Sequence, residues 1–141
     1  MRFRLATIAV AAALTLALGA AWADACGGGP SPLNLRAPAT LNGALRAVFL
    51  KAHPQLSSEQ VAGPIPGRTY YGSYGDLHAV ATFQVAGHHA YPSVFWKLGK
   101  TPWRFVKDTH GGVGIWQVSP DLLTLWGFTQ WRHTDFYVEP R

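Results

Sequence analysis

Histidine is the residue type here best able to hold a metal or move a proton near neutrality. Its six copies are scattered: His53, His78, His88, His89, His110 and His133. His88 and His89 are adjacent, so on a helix or strand they would point in different directions. No Glu-x-x-His or His-x-x-x-His spacing occurs, so no zinc or copper ligand set can be read, and no metal or other cofactor is expected. Nucleophile and phosphate motifs are absent too: the chain has no Gly-x-Ser-x-Gly, no P-loop and no dinucleotide glycine pattern. Asp108-Thr109-His110-Gly111-Gly112 puts an acid, a hydroxyl and an imidazole within three residues. Sequence neighbours do not make a triad, because its members converge from different elements. Asp76, Asp108 and Asp121 all fall at turn or cap positions, where a structural role already accounts for them. No catalytic residue is assigned.

A binding surface has more support. Leu77, Ala79, Ala81, Phe83 and Val85 alternate with His78, Val80, Thr82 and Gln84, the period-two pattern of a strand with one buried face. If Ala79, Ala81, Phe83, Val94 and Trp96 face a helix, the opposite face carries His78, Thr82, Gln84, Phe95 and Lys97. Aromatic, amide, hydroxyl and charge in one row suit contacts to a sugar or a peptide. Tyr71 and Trp103 extend it. The competing expectation is that Trp126, Trp131 and Phe136 of the C-terminal segment cover this face, since exposed aromatic stripes are uncommon on monomers.

The elements that must position these residues are legible to different degrees. Tyr70–Val85 reads as an antiparallel hairpin, with Gly75-Asp76 supplying the turn. Its small residues Gly72, Ala79 and Ala81 imply a bulky element lying close. Thr40–Ala52 reads as a helix, with Leu41, Leu45, Val48, Phe49 and Ala52 on one stripe and Pro54 ending it. Gly63-Pro64-Ile65-Pro66-Gly67 reads as a rigid loop. Further strands are expected at Pro92–Leu98, Trp103–Lys107 and Ile115–Val118. Ser119-Pro120-Asp121 starts a short second helix, and the tail Thr129–Arg141 returns as a last strand. One helix followed by antiparallel strands predicts an α+β domain over 38–141, with an N-terminal helix on one face of a four- to five-stranded sheet and a short C-terminal helical turn.

Upstream of that domain, Arg2 and Arg4, the apolar run Ile8–Leu18 and Ala21-Trp22-Ala23 match the three regions of a secretory signal peptide, assigned to 1–23. The run is short for a membrane anchor, so no stable span is expected once the signal is cleaved. Residues 24–37, containing Gly27-Gly28-Gly29-Pro30-Ser31-Pro32, read as a flexible linker. Residues 24–141 keep ten Lys and Arg against seven acids, a net charge of +3. Those basic residues are dispersed, which together with export argues against nucleic acid. The lone Cys26 excludes an intramolecular disulfide. Lipid attachment through Cys26 is a minor alternative, because Ala23 and Asp24 stand where a lipoprotein signal resembles Leu-Ala-Gly-Cys.

Tyr70-Tyr71-Gly72-Ser73-Tyr74-Gly75, then Ala79-x-Ala81-x-Phe83, then Trp103, Asp108 and Gly111-Gly112 resemble small secreted bacterial proteins of unknown function. Their pattern is a Tyr-Tyr-Gly strand, a Trp-Ala-x-Ala-x-Phe strand and a Gly-Asp-Thr-Gly-Gly turn. Here His78 replaces the Trp, and His110 is inserted in the turn. The resemblance spans roughly Leu41–Trp126 and implies export and a compact domain, with no active residues to carry over. The reading is therefore an exported binding or inhibitory module, periplasmic or extracellular, acting on an envelope polymer or a protein partner. The alternative is a small hydrolase-like enzyme with a site assembled across loops near Asp108 and His110. That would require one of the two within hydrogen-bonding reach of another polar side chain in a cleft. A scaffold role with no ligand is the default. Oligomeric state is open.

Overall fold

A computed structural model describes Ser31–Arg141. The segment 1–23, read above as a signal peptide, the first part of the span read as linker and Cys26 lie outside the described residues. The elements run β1 (Leu33–Asn34), α1 (Leu41–Ala52), β2 (Val61–Tyr74), β3 (Asp76–Val85), β4 (Tyr91–Lys97), β5 (Arg104–Asp108), β6 (Val113–Gly114), α2 (Pro120–Leu125), β7 (Thr129–Gln130) and β8 (Phe136–Val138). The first five strands form one antiparallel sheet in the order β1-β2-β3-β4-β5, and β6-β8-β7 form a small second sheet. The class is α+β, with strand outweighing helix.

The Tyr70–Val85 hairpin is the centre of the sheet. Tyr74 pairs with Asp76 around Gly75, whose φ of 72° requires a residue without a Cβ. α1 lies on one face of that sheet. Its apolar stripe buries Leu41, Leu45 and Phe49 against Ala79, Ala81, Phe83, Val85 and Phe95. The Phe49 ring stacks on Phe83 with centroids 4.1 Å apart and planes at 11°. Thr40 precedes α1 but makes no side-chain capping bond, so packing on the sheet holds the helix start.

The other face is covered as well. Val80 and Val94 pack beneath Leu122, Leu123, Trp126 and Phe128, with Val113 and Val118 completing a second core. Gly72 shows how closely this layer approaches. A Cβ there would sit 2.6 Å from Leu122 Cδ1 and 2.7 Å from the Leu33 carbonyl oxygen. The three small residues of the hairpin therefore serve opposite faces, Ala79 and Ala81 under α1 and Gly72 under α2.

The structure corrects four local expectations. In β4 the two faces are exchanged: Phe95 pairs with Ala79 and is buried under α1, while Val94 pairs with Val80 and Trp96 with His78 on the other face. Val94-Phe95-Trp96 is an unbroken apolar run with no alternation to fix its phase, and a one-residue slip turns every side chain over. The Gly63–Gly67 segment is strand, not loop. Register shifts between Val61 and Gly63 and between Pro64 and Thr69 take up its irregularity. Proline is tolerated there because β1 pairs only with Gly72 and Ser73, leaving the outer side of the segment unpaired. Ile115–Val118 is a turn, closed by hydrogen bonds from the Gln117 and Val118 amides to the Gly114 carbonyl. The strand precedes it at Val113–Gly114, and the tail returns beside it in the second sheet. Leu33–Asn34, inside the span read as linker, forms β1.

Candidate binding groove around the Asp108–Gly112 loop

Asp108 ends β5 and is fixed by two partners from other elements. Its Oδ1 accepts a hydrogen bond from Ser93 Oγ at 2.6 Å, and its Oδ2 lies 2.5 Å from His53 Nε2. His53 follows the last turn of α1, so one carboxylate ties the helix end to β4 and β5. His53 Nδ1 is 2.8 Å from the Phe49 carbonyl oxygen, an acceptor, so Nδ1 carries a proton. One further proton then lies between Nε2 and Oδ2. The ring is buried between Phe49, stacked with centroids 4.0 Å apart, and the edges of Tyr91 and Phe105.

Ser93, Asp108 and His53 are the three residue types of a hydrolytic triad, but their order differs. Asp108 sits in the middle, Ser93 donates to the carboxylate and not to the imidazole, and the Phe49 carbonyl occupies the second ring nitrogen. No nitrogen is left to take a proton from a nucleophile. The cluster is built as an anchor. It sets the root of the loop, which Thr109 reinforces by donating an amide hydrogen bond of 2.7 Å to the Pro92 carbonyl.

Three depressions meet around this loop. One, of about 690 Å³, is walled by Arg68, Tyr70 and Glu139. A second, of about 870 Å³, is lined by Gln84, His88, His89 and Tyr91. The third, of about 530 Å³, is lined by Lys107, His110, Trp116, Gln117, Trp131 and Phe136. The aromatic residues of this third groove are open to solvent: Trp116 is 64% exposed, Trp131 49% and Phe136 42%. Trp116 and Phe136 meet edge to face at 5.1 Å, and the Arg132 guanidinium lies over the Trp131 ring at 4.9 Å. Gly114 seats Trp116, since a Cβ there would be 2.6 Å from the indole Cε2.

The residues expected to form an open sheet face are thus dispersed. Phe95 is fully buried under α1, and Lys97, opposite Leu77, is half-buried on that same side. Gln84 is exposed and lines the second depression. Thr82 is fully buried, and its hydroxyl donates to Glu139 Oε2 at 3.3 Å. The same carboxylate accepts both Nε and Nη2 of Arg68 and the Tyr70 hydroxyl. Burial pushes the Tyr70 phenol above its ordinary value, and the Glu139 charge adds to the shift. Four donors on one side chain hold the C-terminal strand over the sheet. Glu139→Ala leaves a buried hydroxyl and a guanidinium unpaired, and is expected to lower unfolding stability by about 1–3 kcal/mol in urea titrations.

His78 is half-buried below the second layer, and its Nδ1 has no hydrogen-bond partner among the described residues. Burial holds its imidazole below the ordinary value of 6.5, with Asp76 pulling weakly the other way. A depressed folded value means that the unfolded chain binds the proton more readily. The His78 contribution to stability is therefore complete above 6.5 and is lost as pH falls through the folded value. His78→Gln is expected to flatten that part of the profile, measured as a smaller drop in urea midpoint from pH 7.5 to 5 than in the wild type.

Of the three aromatics expected to cover the sheet, only Trp126 does so. Trp131 and Phe136 form the groove with Trp116, and none of the three was a candidate from the sequence. Glycine beside an aromatic, in Gly114-Ile115-Trp116, was the available signal. Among the described residues no group of three or more His, Cys, Asp or Glu side chains is placed to hold a metal ion, and no helix is long and apolar enough to cross a membrane. Comparison of the chain with protein-family models, with curated proteins and with solved structures gives no match.

Proposed function

We propose that the chain is an exported, non-enzymatic binding module of the cell envelope, and that its ligand lies in the groove of Trp116, Trp131 and Phe136. In this reading residues 1–23 are removed on export, and α1 becomes the first helix of the mature domain. The observation that carries it is the exposure of three large aromatic side chains in one groove, on a domain where the other described aromatics, Tyr74 and Trp96 apart, pack in or against two cores. Leaving them in water gives up burial worth about 1.5–3 kcal/mol for a large apolar side chain. Clustered exposure of this kind marks interaction surfaces. The resemblance to small secreted bacterial proteins points the same way.

The test is retention of the purified protein on envelope material. Trp116→Ala combined with Trp131→Ala is expected to reduce retention at least about tenfold, the effect of losing 1.4 kcal/mol. Circular dichroism should be unchanged, since neither ring belongs to a core. Undiminished retention would sink the proposal.

A further inference from the structure

Resting on the groove proposed above, we infer that its ligand is an acidic polysaccharide, a linear glycan bearing carboxylates. Charge comes first. The ionisable side chains lining the groove are Lys107, His110 and Asp108, and Arg132 lies on the Trp131 ring. Asp108 is not available to a ligand cation, because His53 and Ser93 occupy both its oxygens. Asp135, exposed in the turn before Phe136, is the nearest acid in sequence, but it does not line the groove. What faces a ligand is positive, and complementary charge selects an anion.

Shape and chemistry narrow the class. The indole and phenyl faces carry negative π density, and the C–H-rich face of a pyranose is apolar with slightly positive hydrogens, so the two stack. Lys107, His110 and Gln117 supply donors to hydroxyls and carboxylates beside that surface. An acidic peptide matches the charge but brings no rigid flat face to the indoles. Single-stranded nucleic acid stacks and is anionic. It draws most of its affinity from many phosphate contacts, however, and only Lys107 and Arg132 are permanently charged here.

The groove also continues past one residue's reach. It shares Asp108, Thr109, His110 and Gly111 with the depression lined by Gln84, His88, His89 and Tyr91. An extended chain crossing the loop at His110 would meet aromatics on one side and imidazoles and an amide on the other. That suits a polymer better than a single small molecule.

Calorimetric titration of the purified full chain with alginate oligosaccharides tests the inference, with dextran oligosaccharides, polyglutamate and oligo-dT as comparison ligands. Alginate is expected to bind at least about tenfold more tightly than each of the other three, a difference of 1.4 kcal/mol. Trp116→Ala is expected to weaken it about tenfold. Lys107→Gln, which touches neither core, is expected to weaken it about threefold and to reduce its salt dependence. Dextran binding as tightly as alginate would overturn the acidic part. Polyglutamate or oligo-dT equalling alginate would overturn the glycan class. Absence of alginate binding, with envelope retention still dependent on Trp116, would overturn this inference and leave the groove itself standing. If retention ignores Trp116 and Trp131, both fall together.

Discussion

Phe49→Ala is expected to remove about 3–5 kcal/mol of unfolding free energy, the range for truncating a buried aromatic. Phe49 is fully buried, and its ring is shared between two systems. One side stacks on Phe83 in the sheet and the other on His53 beyond the helix end. Its own carbonyl accepts from His53 Nδ1. Truncation therefore opens a cavity in the α1 core and also removes the ring stacked on the imidazole that locks Asp108. A domain of this size holds only about 5–15 kcal/mol in total, so the variant should sit close to unfolding. Urea denaturation followed by tryptophan fluorescence measures it. A loss under about 1 kcal/mol would mean that the helix is not packed on this face as described.

Asp108→Ala is the second large effect, expected at about 3 kcal/mol, since each buried polar group left without its partner costs about 1–3 kcal/mol. The substitution strips partners from two buried groups at once, the Ser93 hydroxyl and the His53 ring. Asp108→Asn restores one acceptor oxygen and should lose less. Urea titration of the three proteins measures it, and a loss under about 1 kcal/mol for Asp108→Ala would mean that neither buried group depends on the carboxylate.

How much of this was legible in the residues depends on range and on alternation. The stripe on α1 and the alternation of β3 are local periods, and both elements formed where those periods stand. Ser119-Pro120-Asp121 opens α2 for the same reason: capping chemistry is local, although Ser119 makes no side-chain capping bond in the structure. β4 failed because Val94, Phe95 and Trp96 are all apolar, and a strand covered on both faces has no polar row to mark its phase. The polar row of β3 misled in the complementary way. Thr82 is buried beneath Glu139, a partner 57 residues away. The His53–Asp108 pair spans 55 residues, and no spacing rule reaches that far. Trp131 and Phe136 enter the competing expectation, a covered sheet face, because aromatic residues are usually buried. The short β6-β8-β7 sheet turns them outward instead, through the Arg132–His133 turn where both residues take positive φ.

The proline-bearing half of β2 has a consequence for how copies of this chain meet. A fourteen-residue strand, covered on its outer side only over Tyr71–Ser73, would otherwise offer a long row of free amides and carbonyls to any passing strand. Pro64 and Pro66 delete two of those amides, and the register break after Pro64 bends the row out of line. At the opposite border β5 carries Arg104 and Lys107, with a bulge between their pairings to β4. Neither border is a template, so the sheet is guarded against aggregation by strand addition on both sides.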